Sequence, residues 1–344
     1  MRAGPLITDY YSLLTRKTQF QKARPMHYTT IPNTTLKPSV ICLGTADIGS
    51  KIDLATSFRM LDAFSEQGGN FLDSAEVYAN WLPGEQNLSE KTVGKWLAAR
   101  GVRDQMIVAT KGAHPRLSSM HVSRMTRTDI IHDVDQSRKN LQTDVIDLYW
   151  LHRDDPQRPV AEIIDTLNEQ VKAGKIRHFG CSNWQTERIK AANTYADAQG
   201  LLGFVANQPL WNLGVIDYAA LGDPTLAMMD QAMWHYHQAT NLAAIPYSSQ
   251  ANGLFNKMAQ GKPIRPNTLR IYHNAQNQQR FQRVQQLAQE TTLSVTQIVL
   301  GYLIAQPFPT IPIVGCQNME QLADSLSAGD VRLSTEQVKL LSSA

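Results

Sequence analysis

Cysteine is scarce, with only Cys42, Cys181 and Cys316 in 344 residues. An odd, widely spaced set excludes a disulfide framework and a CxxC zinc pair, and it fits a reducing compartment, so a cytoplasmic location is expected. Charge of one sign is also missing: 33 Lys+Arg against 30 Asp+Glu leave a net +3. That excess is too small to draw nucleic acid, and no basic block occurs along the chain. Long apolar runs are absent too. The charge-free stretch from Thr291 to Met319 is unbroken and apolar only from Ile298 to Ala305, and Pro307, Pro309 and Pro312 follow at once. A membrane span needs about 20 apolar residues, so a buried helix and strand are expected there. The nine histidines show no HExxH spacing, and no metal is expected.

What is present is material for a core, at 42% hydrophobic and 18% charged residues. The first 25 residues read differently from the rest. They carry Arg2, Arg16, Lys17, Lys22 and Arg24 against the single acid Asp9, without the apolar stretch of a secretory signal. Residues 1–25 are therefore expected to be an unstructured extension, and residues 26–344 one folded domain.

From there strands and helices take turns. Short β-branched runs over Met26–Thr35 and Lys37–Leu43 flank a Pro-Asn-Thr-Thr turn signal and predict an N-terminal β-hairpin. Val40–Leu43, Asn70–Asp73, Met106–Thr110, Val145–Leu151, Ile176–Cys181, Phe204–Asn207, Leu242–Ile245 and Thr310–Val314 then read as eight strands. Helical spacing separates them, as in Phe58, Leu61 and Phe64, or in Val93, Trp96 and Leu97 with Ser89 as the expected N-cap and Gly101 after the end. Short, continuously apolar strands with helical crossovers mean a parallel sheet covered on its outer face. The expected fold is of the α/β class, a (β/α)8 TIM barrel with an N-terminal β-hairpin. A doubly wound sheet is the alternative, but no Gly-x-Gly-x-x-Gly follows the first strand.

In such a barrel the chemistry sits at the C-terminal ends of the strands. Those ends supply Asp73, Lys111 and His152 in order, with Tyr78 five residues past Asp73. Singly each has a plain reading: a helix cap, a solvated lysine, a locally bonded imidazole. Together, an acid, an ammonium, an imidazole and a phenol from three successive strands make a general-acid site. Lys111 beside Tyr78 is expected to lower the phenol from its usual value near 10.

The blocks carrying these residues resemble the aldo-keto reductases. Asn70-Phe71-Leu72-Asp73-Ser74-Ala75-Glu76-Val77-Tyr78 is similar to that family's first signature. Ala109–Gly112, Asp147–His152, Gly180–Asn183, Asn207–Asn212, Pro246–Ser248 and Gly315–Leu326 follow in the family's order. The resemblance implies NAD(P)H-dependent reduction of a small carbonyl substrate by direct hydride transfer, without a metal. Tyr78 would be the proton donor, Asp73 and Lys111 would tune it, and His152 would orient the carbonyl. It further implies cofactor contacts at Ser182, Asn183 and Gln208 for the carboxamide and at Trp211 for stacking on the nicotinamide. Tyr247, Ser248, Gln250 and Leu254 would run along the pyrophosphate, and Gly315, Gln317, Gln321 and Ser325 along the adenosine.

Two departures bear on cofactor choice. Asn256-Lys257-Met258 stands where members often carry Gly-Lys or Gly-Arg, and Gln317 stands where many have an arginine facing the 2′-phosphate. The resemblance favours NADP(H) and leaves NAD(H) open. The competing reading is a nicotinamide-binding redox sensor or regulatory subunit with little turnover. A Schiff-base aldolase using Lys111 is a third, disfavoured because Asp73 would keep that lysine charged. Trp81, Trp184 and His114 are candidates to line an aromatic substrate pocket. The oligomeric state stays open.

Overall fold

The computed structural model describes residues 26–343; the leading extension, residues 1–25, lies outside the described residues. Eight strands succeed one another as β1 (Cys42–Gly44), β2 (Phe71–Asp73), β3 (Ile107–Gly112), β4 (Ile146–Leu151), β5 (Ile176–Ser182), β6 (Ala206–Gln208), β7 (Ala243–Ala244) and β8 (Ile313–Val314). All pair in parallel with their sequence neighbours, and β8 pairs back onto β1. Backbone bonds close the remaining seam between β7 and β8. Ala244 N donates to Pro309 O at 2.8 Å, Ile311 N to Ala244 O at 2.9 Å and Ile313 N to Pro246 O at 3.0 Å. The expected (β/α)8 barrel is thus formed.

The first helices of the outer ring are α1 (Leu54–Glu66), α2 (Leu88–Arg100), α3 (Arg127–Leu141), α4 (Val160–Lys172), α5 (Thr186–Gln199) and α6 (Gln231–Thr240). After β7 come α7 (Leu254–Ala259), α8 (Pro266–Tyr272), α9 (Ala275–Thr291) and α10 (Val295–Ile304), and after β8 come α11 (Met319–Ser327) and α12 (Thr335–Ser342). Local signals set several ends. Asp53 caps α1 by accepting from Thr56 N, and Thr126 and Asp129 form a capping box at α3, each cap contributing about 1 kcal/mol. Gly101 ends α2 in the left-handed conformation as expected. Ser89 does not cap α2. The cap position is Asn87, while the Ser89 hydroxyl, at the second helical position, is buried, bonded to Thr45 O at 2.7 Å and paired with the Ser74 hydroxyl at 2.8 Å.

The N-terminal hairpin is present as an antiparallel arm. Thr29 N donates to Pro38 O, Ile31 N to Leu36 O and Val40 N to His27 O. Its tip carries Ile31 and Leu36 into the same apolar cluster as Cys42, Phe71, Ile107, Ala109, Leu148, Trp150, Ala206 and Ile245. That cluster fills the barrel interior, and the hairpin stoppers one end of it. Alternate residues of the strands, among them Leu43, Leu72, Val108, Tyr149 and Cys181, pack outward against the helices. This is the two-residue period of a strand buried on both faces. Gly180 is needed for the inner packing, since a Cβ there would meet Ala206 O at 2.5 Å and the Trp150 ring at 2.5 Å.

Candidate active site

Strand parity decides which side chains reach the mouth. Phe71 points into the barrel, so Asp73 does too; Ala109 places Lys111 there, and Trp150 places His152. The same count puts Ser182 (after Gly180) and Gln208 (after Ala206) on the inner side. The intervening Thr110 instead faces the helices, where it donates to Glu90 Oε1 at 2.6 Å.

Lys111 is fully buried and uses all three of its N–H donors. It pairs with Asp73 Oδ2, donates to Ser74 O at 2.7 Å, and donates to the Tyr78 hydroxyl oxygen at 3.0 Å. An ammonium has no lone pair, so Tyr78 must be the acceptor in that bond. Among the described residues the proton of Tyr78 itself has no acceptor, and it is free for a group in the mouth. Gln208 Nε2 holds the other Asp73 oxygen at 3.0 Å. Burial alone would discharge Lys111, but Asp73 and Tyr78 outweigh it and raise its pKa above 10.5. A lysine so held is a poor imine-forming nucleophile.

One expectation fails here. Lys111 does pull the Tyr78 phenol down, but the loss of water around the hydroxyl and the Asp73 charge outweigh it, and the pKa lies above 10. His152 moves the other way: burial, then His114, Arg153 and Lys111, press its pKa well below 6.5. The imidazole is neutral. Cys42, buried beneath the ion pair, is likewise held as a neutral thiol.

The neighbouring strand ends add polar groups. Asn183, in the left-handed conformation at φ 62°, donates to His152 O at 3.2 Å and to the Ser182 hydroxyl at 3.2 Å. It accepts from Tyr247 Oη at 2.7 Å and from Ala227 N at 3.2 Å. A strained non-glycine residue held on four sides is a frequent mark of a functional site. Beyond β7, left-handed turns at Ser248, Ala251, Asn252 and Gly253 carry the loop across to the β8 side. There Gln250 Nε2 donates to Ser325 Oγ at 3.0 Å, while Leu254 is buried. Gly315 and Gln317 lie exposed ahead of α11. Gln317 N donates to Gln321 Oε1 at 2.8 Å and Gln317 Nε2 to Asp47 Oδ2 at 2.7 Å.

Trp211 is not where the resemblance put it. Its ring stacks on Phe308 at 6.0 Å and abuts Tyr302, within the apolar cluster behind the strands. Tyr247, two residues past the inward-facing Ile245, is the aromatic ring beside Asn183. Trp184 is fully buried against Phe204, with its indole N–H on Arg153 O, and lines no pocket. Trp81 is exposed, with its ring edge-on to Tyr78 at 6.2 Å. His114 lies against His152, ring centroids 4.7 Å apart. Two contributors were not foreseen. The Ser74 carbonyl carries no side-chain signal in the sequence. Arg153 bonds His152 O at 3.0 Å and pairs with Asp223 of the β6–α6 loop at 3.3 Å.

Donors, acceptors and a flat ring around Asn183, Gln208 and Tyr247 suit a carboxamide on an aromatic ring, and among the described residues the Gln208 amide oxygen carries no bond. Among those residues there is also no His, Cys, Asp and Glu group able to hold a metal ion, and no helix long and apolar enough to cross a membrane. Residues 40–344 match the Aldo/keto reductase family. The aldo-keto reductase ausK of Aspergillus calidoustus is 32% identical over 312 residues, covering 87% of this chain and 74% of its own. The NADP+-linked aryl-alcohol dehydrogenase of Phanerodontia chrysosporium is 30% identical over 355 residues, covering 92% and 84%. Among solved structures, the thermostable aldo-keto reductase Tm1743 superimposes with a TM-score of 0.68 at 20% identity, over 92% of this chain and 99% of that one. With the barrel, the mouth and these matches in hand, the chain belongs to the aldo/keto reductase family of NAD(P)H-dependent oxidoreductases.

Proposed function

We propose that the enzyme reduces aldehydes or ketones to alcohols at this mouth, with Tyr78 as the proton donor. One observation carries the reading: Lys111, fixed by Asp73, donates to the Tyr78 oxygen and leaves the phenolic proton unclaimed. The nicotinamide cofactor, when bound, supplies the hydride to the carbonyl carbon. The neutral His152 donates its Nε2–H to the carbonyl oxygen and orients it. Tyr78 then delivers a proton to that oxygen; the π bond of C=O is broken as the new C–H and O–H bonds form, and the C–O single bond of the alcohol remains. The phenolate left behind is stabilised by Lys111 at 3.0 Å and regains its proton from water. Asp73 holds Lys111 in place and takes no part in proton transfer. Ser182, Asn183, Gln208 and Tyr247 would hold the carboxamide and ring, the loop Ser248–Leu254 the pyrophosphate, and Gln317, Gln321 and Ser325 the adenosine.

The lean toward NADP(H) is supported by the NADP+ in the name of the aryl-alcohol dehydrogenase relative. The exposed Trp81 ring beside Tyr78 supports an aromatic or other flat carbonyl substrate. The test is the loss of reduced-nicotinamide absorbance with NADPH and NADH, run separately against small and aromatic aldehydes. Carbonyl-dependent oxidation is expected, fastest with aromatic aldehydes and NADPH. Cofactor binding without turnover on any carbonyl would overturn it in favour of a sensor subunit.

A further inference from the structure

A working imidazole is ordinarily oriented through the nitrogen that does no chemistry, by a hydrogen bond to a carbonyl or carboxylate. His152 has none. It is 9% exposed, and among the described residues its Nδ1 has no hydrogen-bond partner. Among the described residues, two other rings stand edge-on to it. Tyr78 stands edge-on at 6.0 Å with an interplanar angle of 81°, and His114 at 4.7 Å and 61°. We propose that His114 is the positioning residue for His152, its ring replacing the hydrogen bond that would otherwise fix the imidazole. This rests on the reading of the mouth as a carbonyl site.

His114 is itself held with care. Its Nδ1 lies 2.6 Å from Pro115 O, and a carbonyl only accepts, so the proton of His114 sits on Nδ1. Burial takes its pKa down to about 4, and that tautomer persists at neutral pH. The loop around it is clamped by one carboxylate of α3. Asp133 Oδ2 accepts from Ala113 N at 2.8 Å, and Asp133 Oδ1 accepts from Arg124 at 2.5 Å; Arg124 in turn donates to His114 O at 3.3 Å. Ala113 sits at φ 57°, a strained conformation for alanine that this clamp maintains. The loop after β3 thus pays local strain to hold one ring against another. With a single proton on the neutral His152 and no partner at its Nδ1, the proton belongs on Nε2, where it can meet a carbonyl oxygen.

The test compares H114A, H114F, H152A and H114A/H152A with the wild type, using NADPH and 4-nitrobenzaldehyde. In H114A, kcat and kcat/KM are expected to fall together by about 10–100-fold with KM little changed, the mark of lost orientation rather than lost binding. H114F keeps a ring at the contact and should recover most of that loss. The double variant should be no slower than H152A, because His114 acts through His152. Melting curves and NADPH binding by fluorescence quenching confirm that each variant is folded. Unchanged turnover in H114A, or losses that multiply in the double variant, would overturn the proposal. Nitrogen-15 NMR of the His152 ring gives a second readout: the wild type should show one Nε2–H tautomer and H114A a shifted or averaged signal. Identical His152 signals in the two proteins overturn the proposal even if no carbonyl substrate is found, whereas an inactive wild type with the expected signals counts against the reductase reading alone.

Discussion

Lys111 Nζ stands 3.0 Å from the Tyr78 hydroxyl oxygen and 4.6 Å from the centre of the Tyr78 ring, so the ammonium lies beside the oxygen at the outer edge of the phenol. That contact favours a growing negative charge on the oxygen during proton transfer. Removing only the hydroxyl isolates its role. Tyr78→Phe is expected to lower turnover by about 10²–10⁴-fold with cofactor binding unchanged. Turnover within a few-fold of wild type would remove Tyr78 as the acid. Lys111→Met should do more, because it also leaves the Asp73 carboxylate buried without its cation. A stability loss of about 3–5 kcal/mol is expected in denaturant unfolding.

The directions of the shifts fix the pH profile. Tyr78 must be protonated to give a proton, and its raised pKa keeps it so to above pH 10. His152 must be neutral, and its depressed pKa keeps it so to well below pH 6.5. Lys111, raised above 10.5, stays charged throughout. With saturating cofactor, kcat for reduction should vary by less than about threefold between about pH 7 and 9. Alcohol oxidation needs the phenolate, and should rise with pH over the same window. A reduction limb with a midpoint near 6.5 would show that His152 titrates as an ordinary histidine.

Gln317 Nε2 donates to Asp47 Oδ2 at 2.7 Å, at the edge proposed for the adenosine, and in the proposed site cofactor choice is tied to this bond. Asp47 is also paired with Lys51 at 3.1 Å. A carboxylate there repels a 2′-phosphate and occupies the amide that would otherwise bond to it, so it narrows the margin by which NADPH is preferred. Asp47→Asn should therefore tighten NADPH relative to NADH by about 3–10-fold, one charge at a partly screened distance. Titration of each cofactor by protein fluorescence measures it. A ratio unchanged by the substitution would place Asp47 outside the 2′ position.

Much of this was legible in the chain because strands buried on both faces must be continuously apolar. Asp73, Lys111 and His152 stand out because each is a charged or polar residue at the end of such a run. The strand β7 at Ala243–Ala244 reads longer in sequence than it forms, since apolar residues continue past the last ladder bond. Ser89 precedes a helical stripe and looks like a cap, but it is drawn inward by Thr45 and Ser74, partners 44 and 15 residues away. Trp211 and Tyr247 are both aromatic residues beyond strand ends, and only the inward counts separate them: from Ala206 and Gln208 Trp211 falls on the outer side, and from Ala243 and Ile245 Tyr247 falls on the inner side. The direction of the Tyr78 shift depends on how much water the folded mouth excludes, which residue spacing does not state.

Glu90 makes a stability signature distinct from the chemistry. It is fully buried in α2, accepting from Thr110 Oγ1 at 2.6 Å and from Asn140 Nδ2 at 2.8 Å, and burial raises its pKa from 4.5 to about 7. In the unfolded chain it ionises near 4.5. Below that value both states are protonated and the group makes no difference. As pH rises from 4.5 toward 7 the folded state retains a proton that the unfolded state has released, so folding stability declines. Once both are ionised the loss levels off, at about 3 kcal/mol on one pKa unit being 1.36 kcal/mol. Glu90→Gln keeps the shape, can donate to the Thr110 oxygen and accept from Asn140, and has no proton to lose. It should match wild type near pH 4.5 and be more stable at pH 8 by up to that amount, read as the difference in urea midpoints at the two pH values. A variant that is equally or less stable at pH 8 would mean that the Glu90 carboxylate is solvated or paired well enough in the folded state to ionise without penalty.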